Sequence, residues 1–385
     1  MDFEAVFKKY KEGSIAGRYI TNNHIEPLLK KLSDDFKVGI IGQSVKEKPI
    51  YSVRFGNGEK KIFMWSQMHG NESTTTKALF DLFNFLSSNE EDAKIIKESF
   101  TLLIIPILNP DGAEAYTRVN ANEVDLNRDS VDLSQPEAQL LRKAFEDFKP
   151  DYCFNLHDQR TIFAAGETRN PATVSFLSPA YDEEREYNDC RLKAVDVIVA
   201  MNDELQKHIP NQIGRFDDSF NLNCIGDRFQ SLGVPTILFE AGHYQDDYQR
   251  EETRKYIFIS YLTALKSICS NVVVERDLES YLNIPQNKSL FFDFLYKNIK
   301  IKTNSLDIIS NFAAHYREIL VDGKVNFEAY IVETGDSITN FGHVEFDGKG
   351  GIYSDKLNNI PEINKKADFS ININIEFVNG IRKNL

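Results

Sequence analysis

Apolar residues along this chain recur with two periods. In 22–35, Ile25, Leu28, Leu29 and Leu32 fall three or four apart after a capping Asn, and the spacing predicts a helix. Residues 38–41, 50–55 and 61–66 are strand-like, and Gly56-Asn57-Gly58-Glu59 between the last two reads as a hairpin turn. Ile62-Phe63-Met64-Trp65 has no polar interruption, as a central strand covered on both faces requires. Helices are expected over 72–86, 136–148, 183–208 and 246–268, and strands over 102–108, 152–156 and 234–239. Asn109-Pro110-Asp111-Gly112 marks a turn. Strands alternating with helices predict an α/β three-layer sandwich around a mixed, mainly parallel central sheet.

The pattern changes after residue 270. Residues 287–302, 327–334 and 370–377 are strand-like, with turns at Asp322-Gly323-Lys324 and Asp347-Gly348-Lys349-Gly350-Gly351. The reading is an α/β domain over 1–270 and a small β-rich C-terminal domain over 271–385, whose role no motif names. Composition narrows the function. The formal charge of −13 with no basic stripe disfavours nucleic acid as a partner. No apolar run approaches the roughly 20 residues that span a bilayer. The N-terminus lacks an apolar secretion segment, so a cytoplasmic location is expected. Cys153, Cys190, Cys224 and Cys269 form no C-x-x-C pair and read as buried reduced thiols.

Chemistry concentrates at the strand ends. His69-Gly70-Asn71-Glu72 follows the strand at 61–66, and His157 follows the strand at 152–156. Two imidazoles and one carboxylate suit a catalytic zinc, which keeps a fourth position open for water. Spacing of three residues lets His69 and Glu72 converge on one ion. In Asp125-Leu126-Asn127-Arg128, a guanidinium beside an amide can grip a carboxylate. Arg118 could bring a second positive charge to a reacting carbonyl. Glu240 ends an apolar strand, where a buried carboxylate needs a partner or a task such as general base. His24, His208, His315 and His343 read as structural or surface groups, and His243 as structural or at the edge of the site.

In order, H-x-x-E, N-P-D-G, D-x-N-R, a lone His after a strand and a strand-terminal Glu resemble the zinc metallocarboxypeptidases related to carboxypeptidase A, in a bacterial-type cytoplasmic branch. The resemblance covers roughly residues 20–268. It implies that His69, Glu72 and His157 hold one zinc per chain, with Asp125 orienting His69 and Glu240 as general base. It implies that Asn127 and Arg128 bind the free C-terminal carboxylate of a peptide, and that Arg118 stabilises the oxyanion. The chain departs from the digestive enzymes: 215–221 holds no Tyr, His157 is followed by Asp158-Gln159, and no pro-segment of family length is visible. The short separation of Glu72 and His157 leaves a zinc amidohydrolase of N-acyl amino acids as an alternative, resembling aspartoacylase and succinylglutamate desuccinylase. A peptidase of cell-wall peptides and a non-enzymatic binder on the same fold are further readings. Oligomeric state is not legible.

Overall fold

The computed structural model describes residues 2–270, 278–302 and 307–383. Two compact units result: residues 1–160 with 172–287, and residues 161–171 with 288–385. The expected boundary at 271 lies in 271–277, outside the described residues.

Strands through residue 241 are β1 (Phe36–Gln43), β2 (Pro49–Phe55), β3 (Lys60–Ser66), β4 (Phe100–Ile105), β5 (Tyr152–Asp158), β6 (Phe163–Ala165), β7 (Val174–Leu177), β8 (Ile213–Arg215) and β9 (Thr236–Ala241). All but β6 form one sheet of order β1-β2-β4-β3-β5-β9-β7-β8. Its centre is parallel, with β3 beside β4 and β5, and β5 beside β9. Antiparallel pairs lie toward the edges, at β1/β2, β2/β4 and β9/β7. The helices are α1 (Phe3–Tyr10), α2 (Asn22–Leu29), α3 (Thr74–Leu86), α4 (Glu91–Ser99), α5 (Pro110–Ala115), α6 (Pro136–Phe148), α7 (Asp189–Leu205), α8 (Ile225–Ser231), α9 (Glu251–Cys269) and α10 (Leu278–Asn283).

The apolar run of β3 works as its pattern requires. Alternate side chains leave opposite faces. Ile62 and Met64 join a core with Leu79 and Phe83 of α3 and Ile257 and Tyr261 of α9. Phe63 and Trp65 join the other core, with Leu141 and Phe145 of α6 and Phe229 of α8. Phe145 stacks on Phe229 at 4.0 Å, and Trp65 meets the same ring edge-on at 5.3 Å. Each such ring contributes roughly 1.5–3 kcal/mol by burial. Helix, sheet and helix make three layers, the architecture expected.

Several local expectations are corrected. Gly56-Asn57-Gly58-Glu59 closes no hairpin, because β4 lies between β2 and β3. Its glycines serve close approach instead: a Cβ on Gly58 would stand 2.0 Å from the Ser99 carbonyl carbon. The helix expected over 183–208 starts at Asp189, where Asn188 accepts the Arg191 N–H at 2.8 Å and sets the cap. The helix expected from 246 starts at Glu251, because the Asp247 carboxylate takes the N–H groups of residues 251, 252 and 253.

The second unit is β-rich. Its strands are β10 (Asn287–Ser289), β11 (Phe291–Ile301), β12 (Ile308–Val321), β13 (Lys324–Thr334), β14 (Phe341–Asp347), β15 (Tyr353–Ser354), β16 (Phe369–Ile371), β17 (Ile375–Val378) and β18 (Ile381–Arg382). They form the sheets β13-β12-β11-β14 and β15-β16-β17-β18, with β10 paired to β6. Tyr296, Phe312, Phe369 and Phe377 make its aromatic core. The run 370–377 is a hairpin rather than one strand. It turns through Asn372 and Ile373 at φ of 52° and 66°, a conformation that a β-branched Ile does not advertise. No described helix is long and apolar enough to cross a membrane.

Candidate metal centre

The site lies past the carboxyl ends of β3, β5 and β9, where open α/β sheets present their ligands. Gln67 turns the chain after β3 with a left-handed φ of 51°. Its side chain then fixes the turn: Nε2 donates to the Ile20 and Gly70 carbonyls, both at 2.8 Å, and Oε1 accepts from the Thr76 hydroxyl at 2.9 Å. Gly70 lies against the backbone of α5, and a Cβ there would stand 1.9 Å from the Gly112 carbonyl carbon. Gly112 in turn donates its N–H to the Asn109 cap at 2.8 Å. The H-G-N-E and N-P-D-G segments therefore meet backbone to backbone.

This turn delivers His69 and Glu72, and the end of β5 delivers His157. His69 Nδ1 lies 2.9 Å from Glu72 Oε1. His157 Nδ1 lies 2.8 Å from Glu72 Oε2 and 3.1 Å from His69 Nδ1. All three residues are buried, and they are the one group of three His, Cys, Asp or Glu side chains among the described residues with metal-ligand spacing. The far nitrogen of His69, Nε2, lies 3.0 Å from Asp125 Oδ1. A carboxylate accepts only, so Nε2 carries the proton and Nδ1 of a neutral ring presents its lone pair. That lone pair faces a carboxylate and a second imidazole nitrogen. With His157 in the tautomer that leaves Nδ1 unprotonated, three acceptors converge near 3 Å and a cation satisfies them, and the separations approach the roughly 3.3 Å edge of a tetrahedron with arms of about 2.0–2.1 Å. The donor set fits zinc.

The electrostatics agree. Burial alone pushes the Glu72 carboxyl up, but His69 and His157 outweigh it and hold it well below the usual range. Burial pulls His69 down, and Glu72 and Asp125 more than reverse this, so it is raised. Burial lowers His157. Burial also opposes ionisation of Asp125, yet His69 and Arg118 hold its carboxyl low.

Arg118 donates from Nε to Asp125 Oδ2 at 3.0 Å and from Nη1 to Glu72 Oε1 at 3.3 Å. Asp125 also accepts the Asn127 N–H at 2.9 Å and so caps the short turn Leu126–Arg128. Asn127 is drawn toward α8: its Oδ1 accepts from the Ile225 N–H at 3.1 Å and the Cys224 thiol at 3.4 Å. Arg128 is exposed, with Nη1 donating to the Asn127 carbonyl at 2.7 Å. Glu240 pairs in register with His157 across the parallel β5/β9 ladder, so both side chains leave the same face. Its Oε2 is buried with no hydrogen-bond partner among the described residues. Burial, with Glu72 and Asp158 beside it, pushes its carboxyl well up.

The remaining histidines lie elsewhere. His24 bonds Thr21, His208 faces Glu204, His315 faces Asp293, and His343 meets the Thr161 carbonyl. His243 is buried against Tyr248. Sequence reading missed the supports of the centre, namely Arg18, Gln67, Thr74 and Asp158. The adjacency of Asp158 to His157 was the available signal.

Residues 21–175 match the zinc carboxypeptidase family. The matched stretch holds His69, Glu72, Arg118, Asp125, Asn127, Arg128 and His157, but neither Glu240 nor Arg18. Carboxypeptidase SOL1 of Arabidopsis thaliana is 30% identical over 162 residues, covering 36% of this chain and 33% of that protein. Carboxypeptidase 2 of Trichophyton rubrum is 29% identical over 114 residues, covering 29% of this chain and 20% of that protein. The chain thus spans a third or less of the length of these relatives. A crystal structure of a metallo-carboxypeptidase from Burkholderia cenocepacia shares the fold, with a TM-score of 0.53 at 18% identity, covering 66% of this chain and 70% of that one.

Proposed function

Residues 21–175 being a zinc carboxypeptidase segment, we propose that the chain is a zinc-dependent exopeptidase that hydrolyses the C-terminal bond of peptides. The observation carrying this reading is the convergence of His69, Glu72 and His157 on one point, with Glu240 the register neighbour of His157. One zinc per chain would be held by His69 Nδ1, Glu72 and His157 Nδ1. A zinc ion bound there supplies Lewis-acid activation of water and of the scissile carbonyl.

The chain's own groups do the rest. Asp125 accepts the His69 Nε2–H and so fixes the tautomer that leaves Nδ1 free to ligate. Glu240 is the general base and then the general acid. Its Oε2 takes a proton from the attacking water and returns it to the leaving amine. Burial raises this carboxyl, which favours its holding the proton between the two halves of the transfer. Arg128 and the Asn127 amide receive the terminal carboxylate, which restricts cleavage to the last bond. Arg118, which donates to Glu72 at 3.3 Å, would supply a guanidinium to the developing oxyanion.

A peptide mixture incubated with zinc-loaded protein tests the reading by mass spectrometry. Loss of single C-terminal residues, abolished by a chelator, is expected. Intact peptides, with N-acyl amino acids deacylated instead, would sink it.

A further inference from the structure

We infer that Asp158 is a positioning residue for the metal centre, tying the strand that carries His157 to the helix that begins just after Glu72. The inference rests on the metal site proposed above. It starts from an oddity of α3. Helix starts need acceptors for their first N–H groups. Ser73 occupies the cap position but makes no cap bond, because its hydroxyl donates to the Arg18 carbonyl at 2.6 Å. The acceptor comes from the neighbouring strand instead. Asp158 Oδ2 accepts the Thr74 N–H at 3.1 Å and the Thr74 hydroxyl at 2.6 Å. In return the Asp158 N–H donates to Glu72 Oε2 at 3.2 Å. The two ligand segments are thereby clasped from both sides.

Two observations say that this is more than a helix cap. First, the carboxylate is costly where it sits. Its only ion pair among the described residues is Arg18 at 4.0 Å, and its Oδ1 has no hydrogen-bond partner there. A neutral Asn or Ser would cap the same N–H without that cost. Second, the two histidines are supported unequally. His69 is steered through Nε2 by Asp125, whereas His157 Nε2 has no partner among the described residues. The aim of His157 therefore depends on the backbone of 157–158, which Asp158 anchors.

The test is zinc affinity of the full chain, by competition with a chromophoric chelator, for wild type, Asp158→Ala and Asp158→Asn. Asp158→Ala is expected to weaken zinc binding 10- to 100-fold, the scale at which outer supports of a metal act. Asp158→Asn should fall between, since its amide oxygen still accepts from Thr74 but the charge is gone. Zinc-loaded Asp158→Ala should lose kcat at unchanged KM. If it does not fold, Thr74→Val keeps the N–H, loses only the hydroxyl, and should weaken zinc about 3- to 10-fold. Wild-type zinc affinity in the folded variants overturns the inference, whatever their melting temperatures. A wild-type chain that takes up no zinc overturns the metal-site reading instead.

Discussion

Gly70→Ala changes no charge and no ligand, yet it should dismantle the centre. The new Cβ would stand 1.9 Å from the Gly112 carbonyl carbon, 2.2 Å from the Ala113 nitrogen and 2.4 Å from the Gly112 oxygen. These are backbone atoms, so no rotamer change relieves the clash. An ordinary contact begins at 3.4 Å. The turn and α5 must therefore part by about 1.5 Å, half the separation of the ligand atoms they help to place. Overpacking of this kind costs on the order of 1–3 kcal/mol where neighbours can yield, and more where they cannot. The Gln67 bonds that hold the Gly70 carbonyl and α3 are strained at the same time. We expect a melting temperature lower by roughly 2–5 °C and zinc affinity reduced about 10- to 100-fold. Calorimetry of the metal-free protein and chelator competition measure the two. Gly13→Ala is the control, since nothing lies within 4 Å of a Cβ there. Gly70→Ala protein that melts with wild type and retains full zinc would refute the argument that the two motifs need backbone contact.

Other expectations follow from single side chains. Glu240→Gln should retain zinc, by metal analysis, and lose about 10²- to 10⁴-fold in kcat, the scale of general-base catalysis; unchanged kcat would remove Glu240 from the mechanism. Asp125→Asn should weaken zinc about 10- to 100-fold, because the amide can present its N–H to His69 and disturb the tautomer. Asp227 gives a pH prediction. Burial pushes its carboxyl up to about 7, against the pull of the Asn221 N–H and Arg128. A raised folded pKa means that its contribution is full below the unfolded value, near 4, and is lost as pH rises through about 7. In urea titrations, Asp227→Asn should remove a decline on the order of 2–3 kcal/mol between about pH 5 and 8, and parallel wild-type and variant profiles would contradict this.

Much of this was legible because the signals were local. The unbroken apolar run of β3 fixes a strand buried on both faces, and its two neighbouring parallel strands follow from helices between them. His69, Glu72 and His157 stood at the ends of such strands, so topology alone brings them together. Pairing order was not legible. Gly56 and Gly58 look the same in a hairpin and in a close approach to Ser99 and Phe100, and only the insertion of β4 decides. Caps supplied from a distance were also invisible. Nothing in the neighbourhood of Thr74 reveals that Asp158, 84 residues away, supplies its acceptor. The Asn372-Ile373 turn escaped because Ile is a poor turn former, and context overrode its preference.

The most direct test of the central claim compares one peptide in two forms, with a free C-terminal carboxylate and with a C-terminal amide, incubated with zinc-loaded protein. The account predicts release of the last residue from the free acid, at a rate proportional to bound zinc, and little or none from the amide because Arg128 and Asn127 have no carboxylate to hold. Equal cleavage of both forms would contradict the exopeptidase reading. Stoichiometric zinc with neither form cleaved would show that the His69, Glu72 and His157 centre serves other chemistry.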